Sequence, residues 1–217
     1  MLAFVHGGYW QAIYNLTHAG HLCADLTAYG VATWNIEYRR LGDPDGHWPT
    51  PLDDVILALS RLPSLAADYP LDLDRVVLAG HSAGGHLALL AALRAPVRLR
   101  AVASLAGVVD LRATDRRGSD NGLARRLLGA APDEAPDLWD DASPRARLPF
   151  GFPYVLVCGT EDVLWEQNRE LAEAGAAAGD DIAFLELPGA GHFELVDPQA
   201  DEWAKVRSLL LDLLSGR

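Results

Sequence analysis

Six short runs of Val, Leu, Ile and Phe recur along the chain, at Leu2 to Val5, Val31 to Ile36, Arg75 to Ala79, Ala101 to Leu105, Tyr154 to Cys158 and Ile182 to Leu187. Each reads as a strand buried on both faces. Between them, apolar residues at helical spacing predict helices over about 16–29, 51–69, 83–94, 121–128 and 166–178, and a last one over about 200–214. Strand alternating with helix implies an α/β fold, a mostly parallel, doubly wound sheet of about six strands with helices on both faces.

Local signals mark several boundaries. Thr50 followed by Pro51, with Asp53 and Asp54 behind them, reads as an N-cap, a first-turn proline and acids that suit the helix dipole. Gly30 closes the first helix, and Asp197 with Pro198 precedes the last. The one long irregular piece, about 107–152, is rich in Gly, Pro and charge, which predicts a small lid-like insertion over the sheet edge within a single domain, 1–217.

Composition narrows the function. The 217 residues allow one domain with a sizeable core. With 18 Lys and Arg against 30 Asp and Glu, the formal charge of −12 disfavours nucleic acid or an anionic membrane as partner, and a solvated acidic surface is the plain reading. No apolar run approaches the roughly 20 residues that span a bilayer, and no basic segment leads into an apolar one at the start, so the expected location is cytoplasmic. Cys23 and Cys158 sit in apolar stretches and are expected as buried free thiols.

The strand at "RVVLAG" runs straight into "GHSAGGHLALLAALRA". Gly80-His81-Ser82-Ala83-Gly84 fits G-x-S-x-G, in which a sharp strand-to-helix turn lifts a serine hydroxyl above the sheet. A serine needs a base to take its proton, and the base needs an acid to hold its tautomer. Partners follow in the order acid, then histidine: Asp162 in "CGTED" and His192 in "LPGAGHFELVDP", each just past a strand. Glu161 competes with Asp162, which is preferred on its distance from the strand end. Among the other histidines, His18 and His21 are expected on a solvated helix face, and His47 lies in a loop beside Trp48. His81 and His86 flank the turn and suit structural hydrogen bonds.

An attacked carbonyl becomes an oxyanion that backbone N–H groups must meet. One comes from the residue after the nucleophile, Ala83, and others from the loop after the first strand, "HGGYW", in which Gly8 and Tyr9 are the expected donors and His6 braces the loop. Tyr9, Trp10 and His81 are expected to face the substrate. No HExxH, paired CxxC, dinucleotide or P-loop pattern is present, so no metal or cofactor is expected.

At these residues the sequence resembles the α/β-hydrolase superfamily, in its branch of HGG-type esterases and lipases. "HGGYW" with "GHSAGGHLA" looks most like the kynurenine formamidase (arylformamidase) group, and the likeness extends to "SP" at Ser143, "GTED" and "GAGHF". The resemblance implies an α/β-hydrolase fold and hydrolysis of a small-molecule ester or aryl formamide through an acyl-enzyme, and leaves those two substrates open. Such proteins usually carry an antiparallel strand pair ahead of the HGG strand, whereas here that strand starts at residue 2. Either this form lacks that edge of the sheet or the sequence is truncated, and an edge left open in the first case would invite a homodimer. A binding protein on the same fold is the non-catalytic alternative; it predicts a broken triad, and here the three residue types are all present.

Overall fold

A computed structural model of the chain describes residues 1–118 and 121–216. Its centre is one parallel sheet of six strands: β1 (Leu2–Val5), β2 (Thr33–Ile36), β3 (Val77–His81), β4 (Ala101–Leu105), β5 (Tyr154–Gly159) and β6 (Ile182–Leu187), in the order β2-β1-β3-β4-β5-β6. The continuous apolar character of the central strands follows from their alternation. Ala3, Val5, Leu78 and Leu156 point to one face, while Leu2, Phe4, Val77, Ala79, Val155 and Val157 point to the other. Both faces are covered, so neither set of positions can be polar.

Helix α1 (Gly20–Ala28) and the last helix, α9 (Trp203–Ser215), cover one face with Leu22, Leu26, Trp203, Val206 and Leu210. On the other lie α2 (Thr50–Ser60) and α4 (Ala83–Ala92). Nearly all of α4 is buried, because it is sandwiched between the sheet and its outer neighbours, and its residues there are small or aliphatic except His86, whose two ring nitrogens both find partners. Helix α8 (Trp165–Ala178) packs along β5 and β6. Cys23 and Cys158 are free and buried, and burial raises the Cys23 thiol to about 11.

The expected helix over 51–69 is two helices, α2 and α3 (Leu62–Asp68). Pro63 has no N–H and its ring would strike the carbonyl four residues back, so a single helix cannot pass through it. Thr50 is the first helical residue and not the cap, since the Pro49 carbonyl already accepts from Leu52 and Asp53. Asp197 caps a turn through Gln199 N–H, and α9 starts at Trp203, later than expected.

The largest departure concerns 107–152, of which Ser119 and Asp120 lie outside the described residues, as does Arg217. The helix expected over 121–128 is present as α6 (Leu123–Leu128), but the rest is not irregular: it folds into α5 (Leu111–Arg117) and α7 (Pro136–Asp141), followed by a 3-10 turn at Pro144–Arg147. It joins two interior strands, so it does not lie over an edge. Leu111, Leu127, Trp139 and Phe150 enter the same core as α2 and α4. Among the described residues no helix is long and apolar enough to cross a membrane.

Candidate active site

The chain leaves β1 toward β2 on one side and returns to place β3 on the other, so the carboxyl ends of β1 and β3 open a crevice between diverging connections. Two sharp turns meet there.

The first follows β3. Ser82 stands between strand and helix with φ 56° and ψ −118°, in a region that side chains rarely adopt. Close approach enforces the turn: a Cβ on Gly84 would lie 2.0 Å from the Val5 carbonyl oxygen. Backbone bonds hold Ser82 in place, its N–H donating to Leu105 O at 2.9 Å and its carbonyl accepting from His86 and Val108. Ala83 opens α4, so its N–H belongs to the first turn, which has no intrahelical acceptor.

The second turn follows β1. Gly8, Tyr9 and Trp10 have φ of 114°, 51° and 55°, three left-handed residues in succession. His6 braces them. Its buried ring stacks on Tyr38 at 4.5 Å, Nδ1 lies 2.7 Å from Gly7 O and Nε2 lies 2.8 Å from Glu37 Oε1. Tyr38 donates its hydroxyl to His6 O at 2.9 Å. Trp10 does not face the substrate, contrary to the sequence reading. Its ring is 0% exposed in the core, and its indole N–H donates to His86 Nδ1 at 3.3 Å. His86 in turn donates from Nε2 to Ala142 O at 2.7 Å, so one neutral tautomer satisfies both partners.

Burial pushes His86 down to about 4 from an ordinary 6.5. The unfolded chain therefore takes up a proton near pH 6.5 that the folded chain refuses until near pH 4, and acidification through that window favours unfolding. Carboxylates held low, such as Asp54 through its hydrogen bonds from Arg39, act in the same direction. We expect Tm to fall as pH drops from 6.5 to 4, and to fall less steeply in His86→Gln, which keeps a donor and an acceptor but does not titrate. Thermal unfolding at stepped pH measures both slopes; equal slopes would assign the acid sensitivity to groups other than His86, namely His6 and His81, which burial also holds low, and the carboxylates.

Asp162 and His192 come together past β5 and β6. Asp162 Oδ2 lies 2.7 Å from His192 Nδ1, and Oδ1 accepts from Leu164 N–H at 2.9 Å. The Asp162 side chain is 0% exposed. Glu161 is exposed, and its N–H donates to Ala190 O. The histidine loop is tied on three sides. Glu194 Oε2 accepts from Gly191 and Phe193, Thr160 Oγ1 accepts from Gly189, and His81 Nε2 donates to His192 O at 2.9 Å. Burial holds His81 well below the usual imidazole range, which suits a neutral donor.

Ser82, His81 and His192 line one small cleft, of about 80 Å³, with Gly8, Tyr9, Tyr14, His18 and Phe193. Tyr9 and His81 thus line this cleft. Tyr14, His18 and Phe193 escaped that reading. Helical spacing predicts a solvated face for both His18 and His21, and His21 is exposed, but residues 16–19 form a 3-10 turn whose tighter winding brings His18 inward. The signal was Asn15, whose side chain accepts from Thr17 N–H at 2.9 Å and starts that turn. Among the described residues no three His, Cys, Asp or Glu side chains are arranged to hold a metal ion.

The profile of a family described as alpha/beta hydrolase fold matches residues 2–195. Esterase LipC of Mycobacterium tuberculosis is 30% identical over 218 residues, covering 91% of this chain and 54% of that protein, so the chain spans about half the length of that curated relative. An acetyl-hydrolase of Streptomyces hygroscopicus is 31% identical over 88% of this chain and 67% of its own. Among solved structures, an inhibited esterase B from Lactobacillus rhamnosis superposes with a TM-score of 0.86 at 21% identity, over 99% of this chain and 76% of that one, a likeness of fold.

Proposed function

Because the chain belongs to the alpha/beta hydrolase fold family, we propose that it is a serine esterase that cleaves esters of small acyl groups through an acyl-enzyme on Ser82. The observation that carries this reading is the convergence of Ser82 and His192 on one cleft, with the Asp162 carboxylate 2.7 Å behind the imidazole. Asp162 fixes the tautomer: His192 Nδ1–H donates to it, which leaves Nε2 free to take the Ser82 proton.

In this reaction Ser82 Oγ attacks the ester carbonyl as His192 removes its proton. The N–H groups of Gly8, Tyr9 and Ala83 receive the oxyanion, and losing one such donor raises the barrier by about 3 to 4 kcal/mol. His192 then protonates the departing alcohol, and water, activated by the same imidazole, releases the acid. The steps close with these residues alone and call for no cofactor.

The narrow cleft supports a short acyl chain, and the names borne by the relatives, esterase and acetyl-hydrolase, support an ester. The aryl formamide reading rests on sequence motifs alone, chiefly "HGGYW" with "GHSAGGHLA". We expect kcat/KM for p-nitrophenyl acetate or butyrate to exceed that for the octanoate at least about tenfold, and N-formylkynurenine to fall below the acetate. A higher formamide value would reassign the substrate. Absence of turnover on all four, with no labelling of Ser82 by a fluorophosphonate, would overturn the hydrolase reading in favour of a binding protein.

A further inference from the structure

The cleft has two sides, and the chemistry tells them apart. The carbonyl oxygen must lie against the Gly8, Tyr9 and Ala83 N–H groups. The departing alcohol must come within roughly 3 Å of the nitrogen that protonates it, so it lies on the His192 side. Phe193 and His81 are the rings next to His192, at centroid distances of 5.1 and 4.6 Å. His81 is buried and committed to the His192 carbonyl. The surface left for the alcohol is therefore Phe193, with His18 facing it at 6.4 Å and Tyr14 beside His18 at 6.2 Å.

This wall is aromatic and bears no formal carboxylate, ammonium or guanidinium. Phe193 is 60% exposed and Tyr14 41%, large apolar surfaces left open at the mouth of the cleft. A planar ring covers such faces without freezing rotors, whereas an alkyl chain gives up rotational freedom for less contact. We propose that Phe193 and His18, with Tyr14 at the rim, form the leaving-group subsite and select an uncharged aryl alcohol. The proposal rests on the acyl-transfer reading above.

Acyl transfer offers a test that separates this role from a structural one. Once the alcohol has left, every acetate ester gives the same acetyl-enzyme, so a residue that touches only the leaving group alters acylation and not deacylation. Phe193→Leu and His18→Leu are each expected to lower the ratio of kcat/KM for phenyl acetate to that for cyclohexyl acetate about tenfold; taking the ratio against the parent protein cancels the intrinsic reactivity of the two esters. Stopped-flow with p-nitrophenyl acetate should show a slower burst and a steady deacylation rate within about twofold of the parent. His18 lies on a separate element from His192, so its variant stands if Phe193→Leu disturbs the histidine loop. A ratio unchanged in both variants overturns the proposal, as does an equal fall in burst and steady rate, which would make these rings supports for His192. Mass spectrometry of the parent protein isolates the underlying reading: no acetyl group on Ser82 would overturn both.

Discussion

Ser82→Ala is expected to lower kcat for p-nitrophenyl acetate by about 10⁴- to 10⁶-fold, to the residual rate that oxyanion donors and binding alone supply. The fold should not change. The three hydrogen bonds that hold the turn use the Ser82 backbone, and the strained φ of 56° is imposed by neighbouring glycines and strands, not by the hydroxyl. Alanine keeps the Cβ that the turn already accommodates, so the cost of that conformation is present in both proteins. The measurement is steady-state turnover with circular dichroism and Tm alongside. A variant that keeps more than about a tenth of the activity with an unchanged spectrum would sink Ser82 as nucleophile; lost activity with a lost spectrum would indict the turn instead.

Much of the fold was legible because the sheet is buried on both faces. Val77 and Leu78 serve opposite cores, so both must be apolar, and the run that results is hard to read as anything but a central strand. Helices were legible where one face is wet, and their ends were less so: Pro63 divides the helix predicted over 51–69, and the Pro49 carbonyl starts that same helix a residue early. The 107–152 segment misled because Gly, Pro and charge report the corners between short helices, while Leu111, Leu127 and Trp139, spread among them, carry the packing.

The site was legible where backbone geometry demands a residue type. Gly84 has no alternative with a Val5 carbonyl 2.0 Å from its missing Cβ, and that constraint leaves a pattern in the sequence. Side-chain direction leaves none. Trp10 follows Tyr9 in the same loop with nearly the same φ, yet one lines the cleft and the other is buried against His86. His18 entered the cleft through a 3-10 turn, whose period differs from the helix on which its expectation was built, and Phe193 through the irregular loop that carries His192.

Asp162→Asn should lower kcat about 10⁴-fold with little change in shape. Both carboxylate oxygens are occupied by donors, Leu164 N–H at 2.9 Å and His192 Nδ1 at 2.7 Å. An amide has one accepting oxygen and one donating nitrogen. The Leu164 donor is fixed to the backbone and cannot reverse, so the amide oxygen turns to it and the NH₂ faces His192. The imidazole must then present a lone pair at Nδ1 and carry its proton at Nε2, where Ser82 needs a base. The opposite flip sets two N–H groups against each other in a site from which water is excluded, at a cost of about 1–3 kcal/mol for the unmet donor. Either arrangement also removes the negative charge that stabilises the imidazolium formed during attack. Glu161→Gln, one residue away at an exposed position, should leave kcat within about twofold. Turnover of the two variants and their Tm values decide the matter: if Glu161→Gln is the damaging change, the acid has been misassigned, and the 2.7 Å contact serves only to pack the histidine loop.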